Sequence, residues 1–508
     1  MPKFIDNFLN RITMYWLVLY FLIVLIGFAE ILAFFHKLAF GPWTLFFSTT
    51  LILAVCWILN KIFSWTFKVP ANKESVYITG LILALIITPA QNYNQEYILY
   101  ILWACIWAIA CKFLLTIKRK HIFNPAAFGV AITALALNHG ASWWVGSGSM
   151  LILVLLGGIL VVRKIKRAKL VFSFLLTATL TFAVFTFVNR GDLIHSIKIL
   201  FVDTPFFFFA FIMLTEPLTT PPTNLLQIYY GGLVGLLYAP QIHIGSVYST
   251  PELALLIGNL FSYLVSPKVN LLLILKHKHK VADSIYEFVF KSEDRLNFKP
   301  GQYMEWTYGH KNPDSRGNRR YFTIASSPTE KEMMFGIKFY NPASSFKSNL
   351  LHLHPGSKIF AGALAGDFVL PDRSEEKLAF IAGGVGITPF RSMFKYLIDT
   401  KQARDIALFY SNTTADEIAY QDILSQAQRE IGAKIFLTLT DQSRLPMNWA
   451  NYTGYVDSAM VMDSLPDYQS RTFYISGSDG FVSSMKKTLR QIGVAGHKIK
   501  TDFFPGFI

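Results

Sequence analysis

Ala382-Gly383-Gly384-Val385-Gly386-Ile387-Thr388-Pro389 is the stretch that decides the fold of the C-terminal half of this chain. It follows an apolar run, Lys377-Leu378-Ala379-Phe380-Ile381, that is typical of a buried parallel strand, and a helical pattern begins near Phe390. Three glycines at a strand-to-helix turn let the backbone approach a pyrophosphate, and the helix N-terminus favours its negative charge. The sequence therefore predicts a nicotinamide dinucleotide site, with these contributing residues: Gly383, Gly384, Gly386, Thr388 and Pro389.

The composition divides the chain into two parts. Of 508 residues, 53% are hydrophobic and 16% are charged, and the mean hydropathy is +0.38, whereas a soluble domain carries about 25% charged residues. The N-terminal part is rich in Phe, Leu, Ile and Trp, and the C-terminal part has an ordinary soluble composition. We therefore expect a membrane domain over residues 1–267, followed by soluble domains at 273–373 and 374–508.

Charge and cysteine content exclude several classes of function. The formal net charge of +15 is explained by membrane topology, because basic residues gather beside the anionic inner leaflet. They stand between apolar runs and form no continuous patch, so we expect no nucleic-acid partner. Cys56, Cys105 and Cys111 are too few for an all-cysteine iron–sulfur cluster, and we expect neither a metal site nor disulfides. We also expect no cleavable signal peptide, because the first apolar run is long enough to span a membrane.

Apolar runs in the N-terminal part predict about ten membrane helices, some of them short. These runs are 14–35, 43–63, 76–91, 96–115, 124–138, 148–163, 170–189, 197–215, 227–239 and 250–267. The basic residues fall in alternate loops, namely Lys61, Lys68, Lys118, Arg119, Lys120, Arg163, Lys164, Lys166, Arg167, Lys169, Lys268 and the run from Lys276 to Lys280. The opposite loops, such as Gln91–Glu96 and His139–Gly148, are nearly free of Lys and Arg. The positive-inside rule then predicts a multi-pass protein of the cytoplasmic membrane, with both termini and the soluble domains in the cytosol.

Three polar features interrupt the apolar half. Asn124-Pro125-Ala126-Ala127-Phe128-Gly129 starts the fifth run, where Pro is also typical of a simple helix start. Thr215-Glu216-Pro217-Leu218-Thr219-Thr220-Pro221-Pro222-Thr223 joins the eighth and ninth runs, and its hydroxyls either bind a cofactor or cap helices. In His139-Gly140-Ala141-Ser142-Trp143-Trp144-Val145-Gly146, the two Trp residues predict an interfacial belt. Two acidic residues are also predicted at membrane depth or near it, namely Asp203 within the eighth span and Glu30. We expect each to be a structural partner of a nearby polar group in preference to a proton or ion site.

Together these features resemble the membrane subunit family shared by the Rnf complex (its D subunit) and the sodium-translocating NADH:quinone reductase (its B subunit), over about residues 10–267. The resemblance implies about ten helices and an FMN held through a phosphoester to a Thr in a Ser-Gly-Ala-Thr-like motif. Gly140-Ala141-Ser142 occupies the corresponding loop, so the acceptor here would be Ser142, and the usual Thr and upstream Asp are absent. A non-covalently held flavin stays open, with these candidate residues: Asn124, Glu216, Thr219 and Thr220.

Short β patterns fill the first soluble segment and predict a small β-barrel. They are Leu273–Lys276, Ser284–Lys291, Gln302–Tyr308, Arg320–Ala325, Met333–Tyr340 and Lys358–Ala363. From residue 377 strands alternate with helical runs, which predicts a doubly wound parallel sheet. Its expected strands are Leu378–Ala382, Ile406–Ser411, Lys434–Leu439 and Thr472–Ser476.

Several motifs of this half occur in a fixed order. Gly301-Gln302-Tyr303 is followed by Arg320-Tyr321-Phe322-Thr323, which fits the pattern R-x-[YF]-[ST], and then by Ser345-Phe346-Lys347-Ser348. The glycine turn comes next, before Tyr474-Ile475-Ser476-Gly477 and an aromatic tail. An Arg fork suits phosphate oxygens physically.

In this order the motifs resemble the ferredoxin–NADP reductase superfamily, over about residues 273–508. The resemblance implies that Arg320 pairs with the FAD pyrophosphate, that Phe322 lies against the isoalloxazine ring, and that the Thr323 hydroxyl bonds near N5. Tyr303 and Tyr321 would flank the flavin, and Ser345, Lys347 and Ser348 would form a second phosphate loop, in which Ser345 replaces the usual Gly.

The nicotinamide end of the site follows from the same resemblance. Ser476 replaces the family's Cys near the nicotinamide and precedes Gly477. Phe504 or Phe507 in the aromatic tail would shield the flavin until nicotinamide displaces it, or the tail would simply close the sheet. We therefore expect these residues to act at the reacting centre: Thr323, Ser476 and Phe504.

The two resemblances predict an NAD(P)H-dependent flavin oxidoreductase that conducts electrons from the cytosol into the membrane. FAD in the soluble half would pass single electrons to a flavin in the membrane half, and these would leave to a quinone or an outer-face acceptor. Two alternatives stay open. One is a membrane-tethered reductase that serves ferredoxin or flavodoxin as its redox partner protein. The other is a transporter or pump with a nucleotide-sensing domain. NADH and NADPH are not distinguished.

Overall fold

A computed structural model describes residues 5, 8–9, 12–67, 73–89, 95–117, 120–245, 247–266, 270–293, 296–310, 314, 317–340 and 343–504. The chain divides into two compact units, Met1–Val269 and Asn270–Ile508. Some predicted positions lie outside the described residues, namely Lys68, Gln91, Lys118, Arg119, Lys268 and Phe507.

The first unit is helical, and a helix lies at each of the predicted positions. The helices are α1 (Met14–Phe34), α2 (Pro42–Phe67), α3 (Lys73–Ile86), α4 (Gln95–Leu114), α5 (Pro125–Leu137), α6 (Leu151–Ile165), α7 (Ala168–Val188), α8 (Leu193–Val202), α9 (Phe206–Met213), α10 (Asn224–Leu237) and α11 (Pro251–Val265). Short antiparallel pairs join Thr116–Ile117 to Lys120–His121 (β1, β2) and His243–Ile244 to Val247–Tyr248 (β3, β4). Among the described residues, α1, α2, α4 and α7 are long and apolar enough to cross a membrane.

The eighth predicted span is broken, which corrects the expectation of one continuous helix. Helices α8 and α9 meet at an angle of 57°, as in a broken membrane span or a re-entrant loop. Pro205 stands at the break and supplies no backbone N–H, so the hydrogen-bond ladder cannot continue through it. Asp203, expected within the span, instead ends α8, and its N–H donates to the Ile199 carbonyl. The segment then continues as a π-helix, Phe209–Met213.

Glycines bring neighbouring helix backbones of the first unit into direct contact. A Cβ on Gly231 of α10 would lie 2.5 Å from the Leu170 carbonyl oxygen of α7, and one on Gly235 would lie 2.7 Å from the Phe174 oxygen. Membrane helices gain most of their association energy from close packing, which small residues permit. The α7–α10 pair therefore tolerates no larger residue along this seam.

The second unit begins with a six-stranded antiparallel sheet. Its strands are β5 (Leu271–Ala282), β6 (Ile285–Ser292), β7 (Tyr303–Thr307), β8 (Arg319–Thr323), β9 (Met333–Lys338) and β10 (Lys358–Ala365), in the spatial order β8-β7-β10-β5-β6-β9. The outer strands of this order approach each other, because the Ala325 N–H after β8 donates to the Met334 carbonyl of β9 at 2.7 Å. The basic run after the last membrane helix, expected as a loop, is part of β5 because its residues pair with β6.

A six-stranded parallel sheet follows. Its strands are β11 (Leu378–Gly383), β12 (Ile406–Asn412), β13 (Lys434–Leu439), β14 (Tyr452–Thr453), β15 (Thr472–Ser478) and β16 (Ile499–Phe504), in the order β14-β13-β12-β11-β15-β16. The helices are α12 (Ser345–Leu351, before this sheet), α13 (Thr388–Asp399), α14 (Gln421–Ile431), α15 (Ser458–Ser464) and α16 (Asp479–Gln491). Leu378 and Phe380 lie in one core while Ala379 and Ile381 lie in another, as expected for strands covered on both faces.

A buried arginine joins the N-terminal ends of neighbouring strands of the parallel sheet. Arg471 is 2% exposed and pairs with Asp405 at 2.9 Å and with Asp467 at 2.8 Å, while its Nη1 donates to the Leu378 carbonyl at 3.1 Å. The hydrogen bond from Arg471 holds the pKa of Asp467 at about 2. This depressed pKa contributes stability that is present above the ordinary Asp range and lost as the pH falls toward 2.

We expect Arg471→Met to destabilise the second unit by about 2–3 kcal/mol, below the range for fully buried pairs because both carboxylates reach solvent. The difference from the unmodified protein should shrink between pH 5 and pH 2, as Asp467 becomes protonated in both. Hydrogen-exchange mass spectrometry of the β11 and β15 amides measures the effect. Lys377→Met is the control. It removes a half-exposed partner of both Asp467 and Asp405 and should cost less than about 1 kcal/mol.

Candidate functional site

The predicted flavin strand is β8, which pairs with β7 so that Tyr303 faces Thr323 and Trp306 faces Arg320. Strand alternation places Arg320 and Phe322 on one face and Tyr321 and Thr323 on the other. The Arg320 guanidinium is buried, with Nη1 donating to the Gly317 and Arg319 carbonyls at 3.3 and 2.6 Å. The strand therefore presents its basic group and its aromatic group together.

The second predicted phosphate loop lies beside this face. The Phe346 ring stacks on the Phe322 ring, with centroids 6.2 Å apart. The Arg320 guanidinium carbon lies 5.0 Å from the centroid of the Phe346 ring. Asp314 joins the two segments, since its Oδ1 is 3.7 Å from Arg320 Nη2 and its Oδ2 accepts from the Ser345 N–H at 3.1 Å. The structure thus brings Arg320, Phe322 and Ser345, three of the residues expected at the flavin, close together. Phe346 was missed, although an aromatic residue inside a polar loop is a signal that sequence reasoning can use.

Two further loop residues, Lys347 and Ser348, lie in the first turn of α12. The Lys347 Nζ donates to the Lys338 carbonyl at 2.9 Å, and the Ser348 N–H donates to the Ser344 carbonyl at 2.8 Å. On the other face of β8, the half-exposed Tyr321 ring makes an edge contact with Tyr303 at 5.7 Å. The aromatic residues predicted around the flavin therefore divide between two faces of the strand.

The Thr323 hydroxyl is the group predicted to bond near the flavin N5. Thr323 is buried at the end of β8, and its Oγ1 has no hydrogen-bond partner among the described residues. A buried hydroxyl without a partner costs about 1–3 kcal/mol. The position therefore suits a ligand that supplies the missing bond.

The glycine turn has the geometry that the sequence predicts. Strand β11 ends at Gly383, a single 3₁₀ turn covers Gly384–Ile387, and α13 starts at Thr388 with Pro389 in its first turn. Gly384 has φ +53°, in the left-handed region that favours glycine. A Cβ on Gly386 would lie 2.5 Å from the Ser476 carbonyl carbon, so the turn packs directly on β15. Both glycines are required by this backbone, and the α13 N-terminus follows at once.

Ser476 and Gly477 lie at the same edge of the sheet as the turn, because Ser476 pairs with Ala382 in the parallel register. Ser476 is fully buried, and its Oγ has no hydrogen-bond partner within the described ranges. A Cβ on Gly477 would lie 2.7 Å from the Phe481 ring, which explains why glycine is needed there. Strand β16 carries the Phe504 backbone to this edge opposite Ser478, so the tail through Phe504 does close the sheet.

A contact that the sequence does not reveal joins the two sheets. Arg391 of α13 forms a bidentate ion pair with Glu330, in which Nη2 donates to Oε1 at 3.0 Å. It also donates from Nη1 to the Ala325 carbonyl at 3.2 Å. Nearby, burial raises the pKa of Glu287, although the positive charge of Arg391 opposes the shift. The flavin strand and the glycine turn are thus held within one polar network.

In the first unit, two of the predicted polar motifs meet. The Asn124 Nδ2 donates to Glu216 Oε2 at 2.8 Å, and the Thr219 hydroxyl donates to the same oxygen at 3.3 Å. Asn124 also caps α5 through the Ala127 N–H at 3.1 Å, so the simple helix-start interpretation holds as well. The Thr220 hydroxyl donates to the local Pro217 carbonyl at 3.3 Å. Asn259 of α11 was missed, and it accepts from the Asn124 N–H at 2.7 Å.

The Gly140–Ser142 loop presents an exposed Ser142. Its hydroxyl donates to the Ile86 carbonyl at 3.2 Å and accepts from Thr88. The expectation of an interfacial Trp belt is wrong for Trp143, which is 4% exposed and donates through Nε1 to Glu252 at 3.0 Å. A buried carboxylate requires such a donor, and this outweighs the preference of Trp for the interface. Glu252 was not recognised from the sequence.

Comparison with known proteins finds a family match within each unit. The NQR2, RnfD, RnfE family matches residues 142–270, and the oxidoreductase NAD-binding domain matches residues 380–487. The glycine betaine monooxygenase reductase subunit of Chromohalobacter salexigens is 30% identical over 201 residues, which are 39% of this chain and 53% of that one. A flavohemoprotein of Bacillus subtilis is 26% identical over 240 residues, covering 46% and 58%. The chain spans about half the length of the curated relatives it matches.

Among solved structures, the FAD/NAD binding domain of nitric oxide dioxygenase from Vibrio cholerae is similar to this chain. It shows 21% identity and a TM-score of 0.41, over 46% of this chain and 98% of that one. The sequence matches to the NQR2, RnfD, RnfE family and to an oxidoreductase NAD-binding domain therefore occur in one chain.

Proposed function

We propose that this protein is a membrane flavoprotein oxidoreductase that takes electrons from cytosolic NAD(P)H and delivers them to a flavin in the membrane domain. A quinone or an outer-face acceptor then receives them. The observation that carries the proposal is the occurrence, in one chain, of an oxidoreductase NAD-binding domain and a membrane domain of the NQR2, RnfD, RnfE family. In this scheme residues 1–267 form the membrane domain, 273–373 bind FAD and 374–508 bind NAD(P)H.

The residues of the second unit fit an FAD group. Arg320 and the Ser345 segment would hold its phosphates, with Phe322 and Phe346 forming an aromatic wall beside them. The buried Thr323 hydroxyl would find its missing partner at the flavin ring. FAD, when bound, accepts a hydride from NAD(P)H and releases electrons one at a time.

The glycine turn fits the pyrophosphate of NAD(P)H. Gly384 leaves the backbone open to phosphate oxygens, while Gly383 and Gly386 let the turn pack closely on Phe481 and β15. The N-terminus of α13 favours the negative charge of the phosphates. Ser476 and Gly477, on the neighbouring strand end, would lie beside the nicotinamide. The Ser476 hydroxyl, which has no partner among the described residues, would supply a hydrogen bond there. Phe504 would close this side until nicotinamide enters.

The flavin content of the purified protein tests the proposal. We expect denaturation to release one FAD per chain and to show a second flavin, FMN, either released or retained on the chain. One FAD and no second redox centre would favour a membrane-tethered reductase with a soluble redox partner. Binding of NAD(P)H without any flavin would contradict both schemes and favour a nucleotide-sensing transporter.

Covalent attachment of FMN is a separate expected result. Ser142 is exposed, and FMN attached there would have to replace the hydrogen bonds of its hydroxyl with Ile86 and Thr88. Because a phosphoester is covalent, it would survive denaturation and add the mass of FMN to the peptide spanning residues 138–150. Ser142→Ala should abolish this mass shift, whereas Ser149→Ala, at another exposed serine of the loop, should preserve it. Mass spectrometry of protein made alongside an active flavin transferase gives the answer.

An unmodified peptide in that experiment would rule out covalent attachment at Ser142. The second flavin would then be sought at the Asn124–Glu216 contact, with Thr219 and Thr220 beside it. Asn124→Ala should lower the FMN content of the protein and leave its FAD content unchanged, because only the first unit is altered.

A further inference from the structure

A buried arginine links the flavin strand to the helix that follows the glycine turn. Arg391 lies near the start of α13 and is 6% exposed. Its guanidinium reaches the Ala325 carbonyl, in the segment that continues directly from Thr323, at 3.2 Å. The same guanidinium donates hydrogen bonds to both carboxylate oxygens of Glu330. One side chain therefore connects the two parts of the second unit that would hold FAD and NAD(P)H.

Other contacts make this connection stiff. The Ser392 hydroxyl donates to the Ser326 carbonyl at 2.6 Å, and the Ser327 N–H donates to Glu330 Oε2 at 2.6 Å. Glu330 therefore binds Arg391 and the chain after the flavin strand at the same time. Two of the residues, Ser392 and Ser326, are at most 1% exposed, so water does not compete with these bonds.

Further packing closes the same junction. A Cβ on Gly336 of β9 would lie 2.5 Å from the Tyr420 hydroxyl and 3.2 Å from the Thr388 hydroxyl. The Arg391 guanidinium carbon lies 5.9 Å from the Tyr420 ring centroid. The β9 strand and the start of α13 are thus in direct contact, and Arg391 lies beside the Tyr420 ring at this contact.

We propose that Arg391 is a positioning residue, which sets the separation between the Thr323 end of the flavin strand and the Ser476 edge of the nucleotide sheet. The inference rests on the proposed function and deepens it. Hydride transfer requires reacting atoms about 3–3.5 Å apart, and a misplacement of 1 Å costs about 10²-fold in rate. Because the guanidinium bonds are made to Ala325 and Glu330, loss of Arg391 alters alignment and leaves the phosphate-binding groups in place.

The surroundings of Arg391 decide which variants to make. Glu330 from the loop after β8 and Glu287 from β6 both face it, beside a cavity of about 310 Å³ that His279 and Asp422 also line. Removal of the arginine alone takes the bidentate partner from Glu330 and a nearby positive charge from Glu287, which keeps its contact with His279 at 3.6 Å. The double variant Arg391→Met/Glu330→Gln removes one of these charges, and Arg391→Lys keeps the positive charge without the fork.

The test measures binding, alignment and rate separately in the full-length holoprotein. We expect the double variant to keep its FAD and to bind NADH with a dissociation constant within about twofold of the unmodified protein. The limiting rate of flavin reduction in stopped flow should fall about 10²-fold. The long-wavelength absorbance that reports nicotinamide stacked on flavin should weaken in parallel. The limiting rate and the absorbance of Arg391→Lys should lie between those of the double variant and those of the unmodified protein. A loss of folding would not produce this graded result.

A control lies on a different helix. Lys487→Met removes a positive charge at an exposed position of α16 and should leave rate and absorbance unchanged. A limiting rate and absorbance at the unmodified level in both Arg391 variants would overturn the proposal. A raised dissociation constant with an unchanged limiting rate would also overturn it, since Arg391 would then serve nucleotide binding. Absence of FAD from the unmodified protein would instead refute the proposed function, which is the premise.

Discussion

Replacing Arg320 by Ala is expected to leave the purified protein without FAD. The guanidinium lies on the Phe322 face of β8, beside Phe346 and the Ser345 segment. Each charge-assisted hydrogen bond to a phosphate contributes about 1.5–3 kcal/mol. Loss of two such bonds lowers the affinity by about 10²- to 10⁴-fold, which is enough to lose FAD during purification.

The measurement is the FAD content per chain after chromatography in detergent. Arg320→Lys keeps the charge but not the fork, and should retain an intermediate content. Arg429→Ala, at an exposed arginine of α14, is the matched control and should retain FAD fully. Full FAD occupancy in Arg320→Ala would show that β8 is not the flavin strand.

A second large effect is expected from Gly384→Val. Gly384 has φ +53°, where a side chain costs about 1–2 kcal/mol, and a branched one costs more. A Cβ there would point into open space, 3.8 Å from its nearest neighbour, Lys338 Nζ, where a phosphate would have to approach. The loss of one or two backbone bonds to phosphate should lower the apparent NAD(P)H affinity about 10- to 100-fold.

Stopped-flow reduction of the bound flavin at increasing nucleotide concentration measures this affinity. The control is Gly480→Ala in the first turn of α16, where a Cβ meets nothing within 4 Å. It should bind nucleotide as the unmodified protein does. If Gly384→Val also retains the original affinity, the turn does not bind the dinucleotide.

Local sequence patterns predicted much of the second unit. Period-two alternation and apolar runs predicted the strands that bury their side chains. The glycine turn predicted the end of β11 and the start of α13 to within one or two residues. Strand β14 was missed because two residues carry no periodicity. Phe504 was assigned to the flavin, although its strand also completes the sheet, since a tail sequence does not reveal its pairing partner.

Long-range polar pairs could not be predicted in the same way. Asn124 and Glu216 are 92 residues apart, and Trp143 and Glu252 are 109 apart. Asn124, Glu216 and Trp143 were noted in the sequence, and Glu252 was not. No local sequence pattern predicts which carboxylate accepts a hydrogen bond from which donor. The junction at Arg391 has the same character, because its partner Glu330 lies in a loop without a motif. Such pairings follow from the packing of whole elements.

The break between α8 and α9 has a consequence for how the first unit is assembled in the membrane. A proline-interrupted backbone cannot be released into lipid as a free helix, because its unpaired polar groups find no partner there. Phe206 and Phe209 of the broken segment are fully buried and contact Tyr238, at the end of α10. That helix is synthesised later. The segment therefore completes its insertion only after the chain that shelters it has emerged from the ribosome.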